Sequence, residues 1–217
     1  MADLVAAAWA ELARLWQGGQ DAAHDLGHVR RVWANCRLIL PDEPEADAGA
    51  VQMAAIFHDA INLPKDAPNR AEAATLSARA AAAWLSAQGW DAARIARVTH
   101  AIEAHSFSAG VAPRSPEARV VQDADRLEAL GAIGLARMFA VAGALGRGLW
   151  DDADPMARQR GLDDRAFALD HLEVKLFAIA QTMQTPTGRA MAEERAEWMG
   201  SFRSRLLREL GGGALTL

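Results

Sequence analysis

Apolar residues recur along most of this chain at three- and four-residue spacing, the rhythm of a helix with one buried face. Leu4, Ala8, Leu12 and Leu15 set it first and predict a helix over 4–16, ended by Gly18-Gly19. Asp25 is placed to cap a second helix that runs to residue 40 with His28 in its first turn. After a turn at 41–44, a third helix is expected to carry the chain through His58-Asp59, and Pro64 ends the local structure. Residues 71–88 and 91–104 read as helices separated by Gly89, followed by a Ser-, Gly- and Pro-containing loop over 105–116. The pattern then predicts helix over 117–146, broken near Gly131 or Gly134, a polar loop over 150–165, and closing helices over 166–185 and 187–210. No segment alternates with the period of a strand, and no repeat of about 20–50 residues is visible. The expected fold class is all-α, with one domain over 1–210 and a flexible C-terminal tail over 211–217.

Composition supports this reading. The chain has no Tyr, few β-branched residues and abundant Ala, a mixture that favours helix, and 217 residues suffice for one well-buried domain. A net charge of -5 argues against a duplex nucleic-acid partner, which needs clustered Lys and Arg. Cys36 is the only cysteine, so no intrachain disulfide forms and a reducing, cytoplasmic location is expected. Asp3, Glu11 and Arg14 interrupt the start of the chain, unlike a secretion signal. Arg137 interrupts the longest apolar stretch, 129–146, so a membrane partner is not expected. The oligomeric state is not written in the sequence.

The chemistry centres on Ala55-Ile56-Phe57-His58-Asp59-Ala60-Ile61-Asn62. At helical spacing His58 shares a face with Val51, Ala54 and Ala55, the face that should be buried. Burying an imidazole beside a carboxylate costs several kcal/mol unless the charge is compensated, and a divalent metal ion is the simplest compensation. His28 and one of Asp123 or Asp125 complete a set of two imidazoles and two carboxylates, which suits Mn, Fe, Mg, Co or Zn. Asp123 shares a face with Val120, Leu127 and Leu130, whereas Asp125 lies near Val121, Glu128 and Ala129. The two carboxylates point about 200° apart on a regular helix, so one ion cannot take both. Gly143-x-x-Gly146-x-Gly148 lacks the strand and the Lys-Ser/Thr of a phosphate loop. Asp151, Asp152 and Asp154 read as a solvated loop, with a mobile lid as the second reading.

The order His28, His58-Asp59 and Asp125, all expected on helices, resembles the HD superfamily of metal-dependent phosphohydrolases. The local strings are similar to those of small stand-alone bacterial HD-domain hydrolases: His24-Asp25-x-x-His28, His58-Asp59-x-x-Asn62-x-Pro64-Lys65, Pro68-x-Arg70, His105-Ser106, Gln122-Asp123-Ala124-Asp125-Arg126-Leu127 and Asp170-His171. The resemblance runs from about residue 20 to 209. It implies the helical HD fold and a divalent metal held by His28, His58, Asp59 and Asp125, the last chosen by its Ala-Asp-x-Leu setting. It implies hydrolysis of a small phosphorylated substrate, most plausibly a nucleotide, with Asp59 and Asp123 as catalytic carboxylates. His24, Lys65, Arg70, His105 and Arg126 are the expected substrate contacts. Some superfamily members carry an acid three residues after the Asp of the pair, where this chain has Asn62. Asn cannot take a proton, so that duty passes to the activated water, Asp59 or Asp66. The alternatives are a non-catalytic sensor that binds a nucleotide or metal on the same scaffold, and an interaction module with a structural metal.

Overall fold

The computed structural model describes residues 2–16, 25–63, 69, 72–106 and 109–211. Their regular structure is helical, with no strand among the described residues: α1 (Ala2–Leu15), α2 (Leu26–Ile39), α3 (Ala48–Phe57), α4 (Ala73–Ala87), α5 (Ala92–His105), α6 (Pro116–Arg126), α7 (Gly131–Ala144), α8 (Phe177–Ala180) and α9 (Pro186–Glu209). The chain divides into two compact units, Met1–Asp125 with Gln184–Gly188, and Arg126–Met183 with Arg189–Leu217. Among the described residues no single helix is long and apolar enough to cross a membrane. The expected tail falls almost wholly on 212–217, outside the described residues.

In the first unit α3 is the central element. Ala50, Val51 and every residue from Met53 to Phe57 are buried, because α1, α2, α4 and α5 all pack against it. A helix apolar on nearly all sides is stable only when so surrounded. Its start is fixed by Asp47, whose carboxylate accepts from the Gly49 and Ala50 amides at 2.9 and 3.0 Å. The same carboxylate takes a two-pronged contact from Arg94 of α5, at 2.7 and 3.0 Å.

The end of α3 corrects one expectation. The helix stops at Phe57; His58 is its last, half-helical residue and Asp59 lies on the turn beyond. The Ala60 amide closes that turn on the Phe57 carbonyl at 3.0 Å. Ser77 Oγ accepts from the Ile61 amide at 2.9 Å and lies 3.3 Å from the Ile61 carbonyl, so α4 supplies bonds that a continued helix would have made internally.

In the second unit the expected break falls at Leu130, which is extended, and Gly131, whose φ of +69° suits glycine. The acidic loop is not merely solvated. Asp154 accepts from the amides of Arg158, Gln159 and Arg160, and Asp151 from those of Ala153 and Asp154. Arg160 grips the buried Asp170 through both terminal nitrogens, at 2.6 and 2.9 Å. These side-chain bonds compete with helix formation. The expected helix over 166–185 is reduced to turns, a π-helical turn at Leu172–Leu176 and the short α8. A single bridge joins Gly148 and Phe167.

Candidate metal centre

Four side chains of the first unit converge from three places in the chain. Asp25 caps α2 by accepting from the His28 amide at 2.6 Å, which fixes His28 in the first turn with its ring buried. His58 is fully buried, and its Nδ1–H donates to the Ala55 carbonyl at 2.8 Å. A carbonyl only accepts, so Nδ1 carries a proton, and Nε2 is the ring nitrogen turned toward the other three side chains. That Nε2 lies 3.1 Å from His28 Nε2. Asp59 Oδ2 stands 3.3 Å from His58 Nε2 and 3.7 Å from His28 Nε2. Asp125 Oδ1, near the end of α6, stands 3.4 Å from His28 Nε2 and 3.8 Å from His58 Nε2.

These separations can be compared with a coordination shell. Ligands about 2.1 Å from one ion lie about 3.0 Å apart in an octahedron and about 3.4 Å apart in a tetrahedron. The five donor separations, 3.1 to 3.8 Å, are close to those edges. The donor set, two imidazole nitrogens and two carboxylate oxygens, suits a divalent ion. The residues present therefore fit the group.

Electrostatics point the same way. Burial works to raise the Asp59 carboxyl, but the charge of His58 and hydrogen bonds from His105, His28 and His58 outweigh it and hold the group well below the usual carboxylate range. Burial likewise opposes ionisation of Asp125, and the hydrogen bond and charge of His28 lead the groups that overcome it. Both carboxylates are thus anionic at neutral pH, the form a cation requires. Their side chains keep 22% and 27% exposure while the imidazoles are shut in, so access is from the carboxylate side.

His105, expected to contact substrate, closes α5 beside this group. Its Nδ1–H donates to the Ile102 carbonyl at 2.5 Å, and its Nε2 lies 3.5 Å from Asp59 Oδ1. Burial pulls its basicity down, but the hydrogen bond and charge of Asp59 push it above the ordinary histidine value.

Asp123, the other aspartate of α6, meets different partners. Among the described residues, the His, Cys, Asp and Glu donor atoms that gather within 4.8 Å of one another do not include its carboxylate. It is fully buried and accepts from the Gln184 amide at 2.8 Å, the Thr185 amide at 2.7 Å and Thr185 Oγ at 2.7 Å. Thr185 Oγ in turn accepts from the Gly188 amide at 3.0 Å. Asp123 thus anchors the start of α9. Arg126 belongs to the second unit, where it donates to the Thr182 carbonyl at 2.8 Å. His24, Lys65, Asp66 and Arg70 lie outside the described residues.

Trp16, Asn35 and Gln122 are buried side chains of this unit with a hydrogen-bonding N–H, to which the sequence reading gives no role of their own. Two carry a readable signal: Gln122 heads the Gln122–Leu127 string, and Asn35 lies seven residues after His28, on the same face of α2.

An all-helical chain that gathers two imidazoles and two carboxylates around one point has the frame of a metal-dependent hydrolase. Comparison with known proteins identifies the class: the sequence model of the HD domain matches residues 25–130. The YpgQ protein of Bacillus subtilis (strain 168) is 33% identical over 211 residues, covering 94% of each chain. The chain belongs to the HD-domain superfamily of hydrolases, and is close to YpgQ and other small stand-alone bacterial HD-domain proteins. The crystal structure of YpgQ in complex with ADP superposes with a TM-score of 0.71 at 33% identity, over 93% of this chain and 97% of YpgQ. An HD-superfamily hydrolase from Bacillus thuringiensis gives 0.75 at 27% identity, over 97% and 98% of the two chains.

Proposed function

We propose that this protein is a divalent-metal-dependent phosphohydrolase acting on a small phosphorylated metabolite, with a nucleotide as the first candidate and residues 1–210 as the working domain. The observation that carries the reading is the convergence of His28, His58, Asp59 and Asp125 at 3.1–3.8 Å. The ADP held by the related YpgQ supports a nucleotide over other phosphorylated metabolites.

In this reading those four residues hold the ion. Bound there, a divalent ion supplies Lewis acidity, which activates water and polarises the phosphoryl group. The protein's own part is positional. His28 and His58 form a dry floor, and Asp59 and Asp125 present their anionic oxygens toward the accessible side. His105 offers Nε2 to a phosphoryl oxygen next to Asp59. Lys65, Arg70 and His24 are the proposed partners for the substrate's phosphates and base.

The test is a panel of nucleotides and phosphate esters incubated with Mn, Fe, Mg, Co or Zn, reading released phosphate and pyrophosphate. The wild type is expected to turn over at least one substrate, and H58A and D59A to lose that activity. Equal activity in wild type and variants would overturn the proposal. Asn62, exposed where an acid stands in some superfamily members, favours one second reading, a nucleotide sensor without turnover. Calorimetric nucleotide binding with no product under any metal would select it.

A further inference from the structure

Each of the three chain segments that carry Asp59, His105 and Asp125 ends a helix close to its site residue, at Phe57, His105 and Arg126 respectively. The last four carbonyls of a helix lack the regular partner four residues ahead, so these segments are the least constrained parts of their own helices. In each case a buried side chain from another helix, or the residue just after one, reaches a carbonyl at the site. Trp16, just past α1, donates its indole N–H to the Asp59 carbonyl at 3.2 Å. Asn35 of α2 donates from Nδ2 to the Ala124 carbonyl, one residue before Asp125, at 3.0 Å. Gln122 of α6 donates from Nε2 to the Ala104 carbonyl, one residue before His105, at 2.6 Å. The three donors are 8%, 5% and 3% exposed.

We propose that Trp16, Asn35 and Gln122 are positioning residues of the metal centre, setting the placement of Asp59, Asp125 and His105 by holding the carbonyls at or beside them. The inference rests on the reading of this cluster as a metal site. Three features argue for it over ordinary core packing. Each bond falls at a helix end that bears a site residue. Each links two segments far apart in sequence, separated by 43, 89 and 18 residues. Each donor is a neutral amide or indole, so it directs a carbonyl without adding charge beside the carboxylates. Trp16 also lies before residues 25–130, the span matched by the HD-domain model, so α1 adds a constraint from outside that span.

The test uses the full chain and Co(II), whose visible absorption reports ligand geometry. Asn35→Leu and Gln122→Met keep the bulk and remove the donor, and Trp16→Phe removes the donor with a smaller ring. Met53→Leu, equally buried but without such a bond, is the control. Affinity is read by titration calorimetry, the Co(II) spectrum by absorption, and stability by melting the metal-free protein. Each donor variant is expected to bind Co(II) roughly tenfold more weakly or worse than the control, with an altered spectrum, while still melting cooperatively without metal. Wild-type affinity and spectrum in all three folded variants would overturn the inference, as would weaker binding that Met53→Leu shows to the same degree. Should one variant fail to fold, the other two decide. Absence of Co(II) binding by the wild type would instead sink the metal-site reading and this inference with it.

Discussion

His28 Nε2 and His58 Nε2 face each other at 3.1 Å inside the protein, and the far nitrogen of His58 is spoken for by the Ala55 carbonyl. Two imidazole nitrogens this close, with the Asp59 and Asp125 carboxylates beside them, form a donor set suited to a divalent cation. At a metal concentration about 100-fold above Kd, binding should stabilise the fold by about 2.7 kcal/mol. For a chain of this size that is a rise of about 5–10 °C in melting temperature. Differential scanning calorimetry with and without Mn or Co checks it. H58A should remove the rise, and a rise that survives in H58A would show that the ion binds elsewhere.

Asp123 and Asp125, two residues apart, should fail in opposite ways. Replacing Asp123 by Ala strands the Gln184 and Thr185 donors in a buried place and is expected to cost about 2–4 kcal/mol of stability, with metal content retained. Asp125→Ala should do the reverse, losing the ion while folding well. Metal analysis beside urea unfolding separates them. Loss of metal from a stable D123A protein would return Asp123 to the site.

Gly188 lies against the Asp123 anchor. A Cβ there would sit 2.5 Å from Asp123 Oδ2 and 2.7 Å from Thr185 Oγ. Gly188→Ala is therefore expected to destabilise the fold by about 1–3 kcal/mol through overpacking. An unchanged midpoint in denaturant would show that the anchor yields at no cost.

Acid should weaken both units through separate carboxylates. The hydrogen bond from Arg94 leads the lowering of the Asp47 carboxyl, against some burial, and for Asp170 burial opposes while the Arg160 contact wins. Both folded values lie below the ordinary 3.8, so the unfolded chain binds more protons as pH falls. Their stabilisation is complete above about pH 5 and drains away below about pH 4, through the folded values. Denaturant midpoints measured from pH 6 to pH 3 should fall, and the fall should be shallower in D47N and D170N. A slope unchanged in both variants would assign acid sensitivity to other groups.

Much of this protein is set by local information. Helix periodicity, the Asp25 cap and the glycine break near residue 131 are properties of neighbouring residues, so they can be read from the order of the chain. The residue types at 28, 58, 59 and 125 likewise suggest a divalent ion, the simplest compensation for burying imidazoles and carboxylates side by side. Tertiary structure decided what depends on meeting across the chain. It ended α3 at Phe57, since Ser77 of α4 and Trp16 just past α1 supply the bonds that Ile61 and Asp59 would otherwise seek within their own helix. It turned Asp123 away to the start of α9 and Asp125 toward the histidines, a choice that helix phase alone left open. It also brought His105 beside Asp59, across 46 residues that no local pattern spans. Periodicity names the face a side chain occupies, but packing alone selects which partner that face meets.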